Sequence, residues 1–333
     1  MPFLNLRAYL LCSFLLIIDF GSAFASLPAD TLNNANSSPS VAVIKPKGYR
    51  SIICIEDGFV VAGSDGRIDW LSKSGNITKS EKYTGEDLNS LLSFKQNVIA
   101  AGNKGSILVS ADKGTFRKVE SGTQNNINSL ALFKEKIIAG ADNGELLIDD
   151  ENGSFRSIQL RLKGNIVSVS ASFSDCYGVT NEGEIIHSKN GIDWNILNFN
   201  ALYAGYYKPC NFTKVLVTDN RVAVAGVKND GSPTLFFSSQ GNVWTERTLN
   251  YTDEQGMSAL LEFVPYDIFY DISNDQFLLA CSKGKIMTIP SCSHCNKLFS
   301  VSTEDIMGIA GDENSIIVVG KDLFIKVLDT KWF

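Results

Sequence analysis

The chain has 333 residues, of which 44% are apolar and 20% are charged, with 27 glycines and 8 prolines. These values are typical of a globular protein, and they exclude disorder, collagen and a coiled coil as descriptions of the whole chain. The net charge is −6 and there are only two histidines. A long basic stripe that would neutralise phosphates is therefore absent, and nucleic acid is not expected as a partner.

The first 25 residues have the pattern of an export signal. Arg7 precedes an apolar run over residues 9–18, and Ala23-Phe24-Ala25 has the A-x-A form cut by signal peptidase. The run is about half the roughly 20 residues needed to cross a bilayer. We predict a signal peptide over 1–25, no integral membrane segment after its removal, and a secreted or periplasmic protein. The polar stretch 26–40 is predicted to be a flexible leader.

From residue 41 to residue 333 the sequence repeats with a fixed period. The turn glycines Gly66, Gly105, Gly144 and Gly183 follow one another at intervals of 39 residues. Further copies end at Gly231, at Gly284 and, in the last unit, at Gly320 before Lys321-Asp322. Seven units fill this part of the chain, and a period of about 40 residues is typical of propeller blades.

Each unit contains short β-rich stretches separated by polar turns with Asp-Gly, Lys-Gly or Asn-Gly pairs. This pattern predicts an all-β fold in one domain over 41–333, a seven-bladed β-propeller with four antiparallel strands in each blade. The last unit lacks a fourth strand. Residues 41–45 have a β pattern and are predicted to supply it, which closes the ring; the alternative is that residues 331–333 continue a fourth strand.

A Ser-x-Asp-x-Gly-x-aromatic element follows the third predicted strand of several units. It resembles the Asp-box of the bacterial neuraminidase repeat, and the short units are most similar to those of the photosystem II stability and assembly factors. The resemblance implies a structural use for the box, whose polar side chain satisfies turn amides while its aromatic anchors the turn. The residues that it assigns to boxes are Ser110, Asp112, Gly114, Phe116, Ser188, Asn190, Trp194, Ser238 and Trp244.

The sequence favours a binding protein over an enzyme. A sialidase-like site needs three clustered arginines, whereas Arg50 alone begins an innermost strand of the predicted propeller. A glycosidase that uses a carboxylate pair near the channel remains the alternative, because it needs only two suitably placed carboxylates. The two histidines are too few for a catalytic triad or a multi-histidine zinc site, and no cofactor or metal is predicted.

The pair Cys292 and Cys295 has CxxC spacing but no second pair to complete a zinc site. We therefore expect a local disulfide that braces a turn.

Two insertions, over 200–213 and 250–266, are predicted to lie on one face of the ring. Their aromatic side chains either recognise a ligand or cap the neighbouring blades. Arg50, Asn89 and Asn128 occupy one register of the repeat and are predicted to lie at the channel mouth, where the asparagines either bind a ligand or hold a loop. The expected partner is a protein or a glycan, and the expected state is a monomer. The predicted ligand-binding residues are Tyr203, Tyr206, Tyr207, Tyr266, Arg50, Asn89 and Asn128.

Overall fold

The computed structural model describes residues 47–110, 114–150, 154–253, 255–291 and 295–328. Their strands form seven antiparallel sheets that follow one another along the chain, each an uninterrupted meander, and one separate hairpin. Blades 1 to 6 have four strands, and blade 7 has three among the described residues. The expected seven-bladed β-propeller is thereby confirmed.

The blades begin and end close to the positions that the repeat predicts. Blade 1 contains β1 (Tyr49–Ile55), β2 (Gly58–Gly63), β3 (Arg67–Leu71) and β4 (Ile77–Lys82). Blade 2 contains β5 (Leu88–Phe94), β6 (Asn97–Gly102), β7 (Ile107–Ser110) and β8 (Phe116–Val119). Blade 3 contains β9 (Ile127–Phe133), β10 (Lys136–Ala141), β11 (Glu145–Asp149) and β12 (Phe155–Gln159). Blade 4 contains β13 (Ile166–Ala171), β14 (Cys176–Thr180), β15 (Glu184–Ser188) and β16 (Asn195–Asn198).

The two insertions flank blade 5. A short helix, α1 (Phe199–Leu202), precedes it, and a hairpin follows it. Blade 5 contains β17 (Cys210–Val217), β18 (Val222–Lys228), β19 (Pro233–Ser238) and β20 (Thr245–Glu246). The hairpin contains β21 (Asn250–Thr252) and β22 (Ser258–Leu260). Blade 6 contains β23 (Pro265–Asp271), β24 (Gln276–Cys281), β25 (Lys285–Pro290) and β26 (Lys297–Ser300). Blade 7 contains β27 (Ile306–Gly311), β28 (Ile316–Gly320) and β29 (Ile325–Leu328).

The repeat glycine is required by the turn between the second and third strands. In blade 1 this turn is a single 3-10 turn, Ser64–Gly66, in which Asp65 and Gly66 have φ of 57° and 68°. A Cβ atom on Gly66 would lie 2.0 Å from the carbonyl oxygen of Thr84. Only glycine has both the conformational freedom and the small size that this position needs, which explains why it marks the period so clearly.

The hydrophobic core is divided into seven clusters, and each cluster lies between two neighbouring blades. Each side of a blade contributes alternate residues of its strands, as expected for a sheet that is buried on both faces. The seventh cluster joins blade 1 to blade 7, where Tyr49 and Phe59 pack with Ile317 and Val319. Among the described residues, each of the seven blades therefore packs against both of its neighbours, and the ring is closed.

Polar contacts also join the two ends of the described propeller. Gly48 forms a β-bridge with Lys321, and the amide of Asp322 donates to the carbonyl oxygen of Lys47 at 3.2 Å. The chain therefore enters β1 beside the last blade. Residues 41–45, predicted to complete blade 7, lie outside the described residues, as does the alternative strand over 331–333.

Buried carboxylates at the start of the third strand hold the connections between blades 2, 3 and 4. Glu145, on β11, accepts hydrogen bonds from Thr123 Oγ1 at 2.6 Å, Asn125 Nδ2 at 2.8 Å and Ser157 Oγ at 2.5 Å. Burial alone raises the pKa of Glu145. The three hydrogen-bond donors lower this pKa by more than burial raises it, so the pKa lies below its ordinary value. Glu184 repeats the arrangement one blade later, where it accepts from the amide of Lys163 at 2.9 Å.

The Glu145 site gives the propeller an acid-sensitive component of stability. Because the pKa is lower in the folded state, this component is present above the ordinary glutamate pKa of about 4.3 and is lost as the pH falls through the folded-state value. We expect Glu145→Gln to lower the free energy of unfolding by about 1.5–3 kcal/mol at pH 7. The difference from wild type should shrink below about pH 4. Urea unfolding at pH 7, 5 and 3.5 measures it; a difference that grows with acidity would contradict this assignment.

Candidate functional site

A cavity of about 600 Å³ occupies the central channel, and one side chain from every blade lines it at the same position. Each innermost strand has a register shift near its start, directly after the first residue in six blades and after Phe212, the third residue, in blade 5, and a bulge of this kind re-aims a side chain. The shift leaves one residue of each strand outside the pairing, and that residue faces the channel. In blade order these residues are Arg50, Asn89, Asn128, Val167, Thr213, Tyr266 and Met307.

Blades 1 to 3 supply the polar arc of this ring, and its members are hydrogen-bonded from blade to blade. Arg50 donates through Nη1 to Asn89 Oδ1 and through Nη2 to Asp87 Oδ2, both at 2.7 Å. Asn89 donates to the carbonyl oxygen of Ile127 at 2.9 Å, and Asn128 continues the pattern toward blade 4. These bonds agree with the interpretation that the asparagines hold a loop. They also fix the positions of the groups that face the cavity.

Blades 4, 6 and 7 supply an apolar arc opposite, formed by Val167, Tyr266 and Met307. Thr213 of blade 5 stands between them and donates to the carbonyl oxygen of Pro265 at 2.7 Å. Burial raises the pKa of Tyr266 to about 12, so its hydroxyl stays protonated at neutral pH. The mouth therefore offers amides and a guanidinium on one side and an aromatic ring with aliphatic groups on the other.

A second ring of polar side chains lies one residue deeper and ties the innermost strands together. In blades 1 to 4 it is serine, whose hydroxyl accepts a hydrogen bond from a backbone amide of the next innermost strand around the ring. The pairs are Ser51 with Leu91, Ser90 with Leu130, Ser129 with Val169 and Ser168 with Val215, at 3.0 to 3.2 Å. These bonds make the channel wall a preorganised surface rather than a set of independent strands.

In blades 5 and 6 the same ring contains an ion pair that the sequence analysis did not identify. Lys214 Nζ lies 2.8 Å from Asp267 Oδ1, and Asp267 Oδ2 accepts from the amide of Ile309 at 3.0 Å. The partners are 53 residues apart in a chain without a motif at either position. Only their equivalence to the serines of blades 1 to 4 points to them, and the insertions between blades 4 and 6 obscure that equivalence.

The carboxylates that line the cavity do not form the close pair that a glycosidase uses. Among the described lining residues they are Asp142 on blade 3 and Asp267 on blade 6, which lie on opposite sides of the ring. Both are engaged within the protein, since Asp142 accepts from Asn126 and Asn128. The placement of the two carboxylates on opposite sides of the ring and their bonds to other side chains both disfavour a role as acid and base on one glycosidic bond.

The structure places the four predicted tyrosines at two different locations. Tyr266 faces the channel, whereas Tyr203 and Tyr207 pack beside α1 against Phe199 and hydrogen-bond to the backbone of Trp244. Tyr206, in the same loop, is 83% exposed and does not line the cavity. The geometry of Tyr203 and Tyr207 favours the interpretation that they cap the neighbouring blades. Of the four tyrosines, only Tyr266 lines the same cavity as Arg50, Asn89 and Asn128.

The residues that the sequence resemblance assigns to boxes lie in or beside turns on the face opposite the connections between blades. Ser188 Oγ accepts from the amide of Gly191 at 2.8 Å, and Asn190 Oδ1 accepts from two further turn amides at 2.9 Å. Ser238 makes the equivalent bond to Gly241, and Trp244 is buried behind it. In the first box Ser110 and Phe116 are buried, while the carbonyl oxygen of Gly114 accepts from Tyr83 at 2.9 Å. Asp112 lies outside the described residues.

The described part of the chain contains no disulfide, and Cys176, Cys210 and Cys281 are buried thiols. Burial raises the pKa of Cys176 and of Cys210 to about 12. Cys292 lies outside the described residues, so its pairing with Cys295 stays a prediction. No group of three or more metal-ligating side chains occurs among the residues described. Within the same ranges, no helix is both long and apolar enough to cross a bilayer.

The chain is a seven-bladed β-propeller, and solved structures share its fold at low sequence identity. The computationally designed Ika8 protein has a TM-score of 0.59 and 12% identity, over 85% of this chain and 96% of its own. The WD40 β-propeller domain of Doa1 has a TM-score of 0.63 and 14% identity, over 85% and 93%. The Pan2 WD40 domain of Neurospora crassa has a TM-score of 0.65 and 8% identity, over 87% and 90%. No family model and no curated protein matches the sequence.

Proposed function

We propose that the protein is a non-catalytic binding module, exported from the cytoplasm, that takes up a glycan at the mouth of its central channel. The observation that carries this proposal is the ring of seven bulged side chains around the 600 Å³ cavity, divided into a polar and an apolar arc. A cavity of this size fits a small ligand or the end of a chain. The proposal also includes the assignment of the repeat to the Asp-box class and the export of the protein by a signal peptide over residues 1–25.

The division into arcs matches the chemistry of a sugar ring. A pyranose has hydroxyl groups around its edge and C–H groups on its faces. Amide and guanidinium groups such as those of Asn128 and Arg50 suit the hydroxyls, and the ring of Tyr266 suits a face. A protein segment inserted into the mouth is the competing ligand, which the same experiment distinguishes.

The proposal is tested with an array of defined glycans and two matched tyrosine variants. We expect wild-type protein to bind a subset of the glycans and Tyr266→Ala to weaken that binding by about tenfold or more, because the stacking surface is lost. Tyr206→Ala removes a more exposed tyrosine outside the channel and should change the affinity by less than about twofold.

Circular dichroism should show both variants folded, which separates loss of the site from loss of the propeller. The proposal is wrong if no glycan binds, or if Tyr206→Ala weakens binding as much as Tyr266→Ala does. Release of a chromophore from aryl glycosides by wild-type protein would contradict the non-catalytic assignment.

A further inference from the structure

Below the ring of bulged side chains, the wall of the channel is aliphatic in every blade. The residue two positions after each bulged residue is leucine, isoleucine or valine, and all seven of these residues line the cavity. At about 3.3 Å per residue, they lie about 6–7 Å deeper than the mouth. We call this ring the aliphatic collar. In blade order it contains Ile52, Leu91, Leu130, Val169, Val215, Ile268 and Ile309.

Every member of the aliphatic collar is held in the same way. Each one pairs with a residue of the second strand of its blade, as Ile52 does with Val61 and Leu130 does with Ala139. Each one also belongs to a different cluster of the core, so its side chain is fixed between two blades. The exposed fractions run from 1% for Val215 to 7% for Ile52 and Leu130. A close-packed wall of this kind keeps its shape when a ligand enters.

The backbone amides at the collar are largely occupied. The ring of serines accepts hydrogen bonds from the amides of four collar residues. Asp267 accepts from the next two, Ile268 at 2.9 Å and Ile309 at 3.0 Å. In blade 7 the equivalent position is Gly308, which has no side chain to accept from the amide of Ile52. Six of the seven collar amides are therefore bonded within the protein, and the collar presents mainly C–H groups to the channel.

The deepest residues that line the cavity are mainly apolar as well. Leu216 and Phe269, one residue beyond the collar in blades 5 and 6, line it. Ser170 has this position in blade 4, but its hydroxyl accepts from the amide of Val217 at 3.0 Å. Water in this part of the channel has few polar partners, so an aliphatic group that displaces it gains affinity.

The charged groups at the cavity wall are matched within the protein. Among the described lining residues the cations are Lys214, which pairs with Asp267, and Arg50, which pairs with Asp87. Asp142 accepts from two asparagine amides. This balance favours an uncharged ligand over an anionic one.

A second sugar fits the aliphatic collar poorly. Its hydroxyl groups would leave water without finding hydrogen-bond partners, which costs free energy. An aliphatic group has no such cost and gains from the removal of its surface from water.

We propose that the sugar bound at the channel mouth carries an aliphatic chain, as the sugar of a glycolipid does, and that this chain occupies the aliphatic collar. This proposal rests on the function proposed above, because the sugar itself stays at the level of Arg50, Asn128 and Tyr266. The ligand is then amphipathic: its hydroxyl groups face the polar arc, and its chain points down the channel.

The test is titration calorimetry of the full protein with alkyl glycosides below their critical micelle concentrations. The probes are the methyl, butyl, hexyl and octyl β-glycosides of glucose, galactose and N-acetylglucosamine, with 1-octanol as the probe without a sugar. In at least one sugar series we expect the affinity to rise by about threefold for each added CH₂ group until the collar is filled. We expect 1-octanol to bind more weakly than the octyl glycoside of that series.

Three variants locate the bound chain. Ile309→Thr places a hydroxyl in the collar and should reduce the gain from methyl to octyl by about threefold. Ile317→Thr makes the same change in the next strand of blade 7, at a buried residue that does not line the cavity, and should keep the wild-type gain. Phe173→Ser removes a side chain that is 92% exposed outside the channel and should also keep it. The wild-type series and Phe173→Ser decide the question even if a threonine variant does not fold.

Equal affinities for the methyl and octyl members of all three series would overturn the proposal, while binding on the glycan array would still support the channel mouth as a sugar site. Loss of the gain in Phe173→Ser would also overturn it, because the chain would then bind outside the channel. Binding of 1-octanol as tight as that of the octyl glycosides would contradict the glycan function and leave the collar as the site of the chain.

Discussion

Replacing Trp244 with alanine is expected to lower the free energy of unfolding by about 3–5 kcal/mol, the range for loss of a large buried aromatic. Trp244 is fully enclosed in the cluster between blades 4 and 5, where Phe199 and Tyr207 pack beside it. Its Nε1 donates to the carbonyl oxygen of Gly241 at 3.1 Å. Truncation therefore opens a cavity and leaves that carbonyl without its donor. Denaturant unfolding followed by fluorescence or circular dichroism measures the change.

Trp194 provides a matched control because it occupies the corresponding box of blade 4. It is half-buried at the edge of its cluster, and its Nε1 has no hydrogen-bond partner. We expect Trp194→Ala to cost about 1–2 kcal/mol, since less surface and no hydrogen bond are lost. Equal losses of unfolding free energy in the two variants would show that the position of the tryptophan in the turn, rather than its burial, determines how much it stabilises the fold.

Replacing Asp69 with alanine is expected to cost about 3–5 kcal/mol, because it breaks a buried pair from one side. Asp69 has no exposed surface and accepts hydrogen bonds from the Tyr49 hydroxyl and from Arg67 Nε, the latter at 2.8 Å. Burial, followed by the bond to Asp69, raises the pKa of Tyr49 well above its ordinary value. Without the carboxylate, a buried hydroxyl and part of a guanidinium lose their acceptor at the interface of blades 1 and 7.

Tyr49→Phe is the companion variant, since it leaves the Asp69–Arg67 pair intact. We expect it to cost about 1 kcal/mol, the value of a single hydrogen bond. Both losses should be measured by urea unfolding at pH 7. If Asp69→Ala costs no more than Tyr49→Phe, the seam between the first and last blades does not depend on this network.

The fold was predictable because a glycine with positive φ recurs at the turn between the second and third strands of blades 1 to 6, whereas Leu323 has this conformation in blade 7. A position such as Gly66 accepts only glycine, so the spacing of the blades is visible without any knowledge of the core. The same period placed Arg50, Asn89 and Asn128 in one register, and the structure puts all three at the cavity wall. Their part in binding a ligand stays a prediction.

The rest of the cavity was hidden because its residue types differ from blade to blade. Val167, Thr213 and Met307 occupy the register of Arg50, but nothing in their chemistry marks them as equivalents. The tyrosines of the first insertion looked available for recognition. Tyr203 and Tyr207 instead pack in an aromatic cluster and hydrogen-bond to the backbone of Trp244, which lies 41 and 37 positions further along the chain, a contact that local sequence cannot show.

The exposed apolar side chains on the opposite face illustrate a second limit. Phe173 and Ile272 each lie in a turn, where an isolated exposed apolar residue is unremarkable. Their significance comes from the ring, which brings turns of neighbouring blades onto one surface. The same geometry gives the molecule two separate surfaces, one concave at the channel mouth and one with exposed apolar tips.

A crystal structure of the protein with a glycan identified on the array tests the central claim most directly. We expect electron density for a sugar ring in the channel mouth, with one face on Tyr266 and hydroxyl groups toward Arg50 and Asn128. Density for the glycan outside the channel, for example beside Tyr206 and α1, would contradict the proposal that the ring of bulged side chains is the binding site.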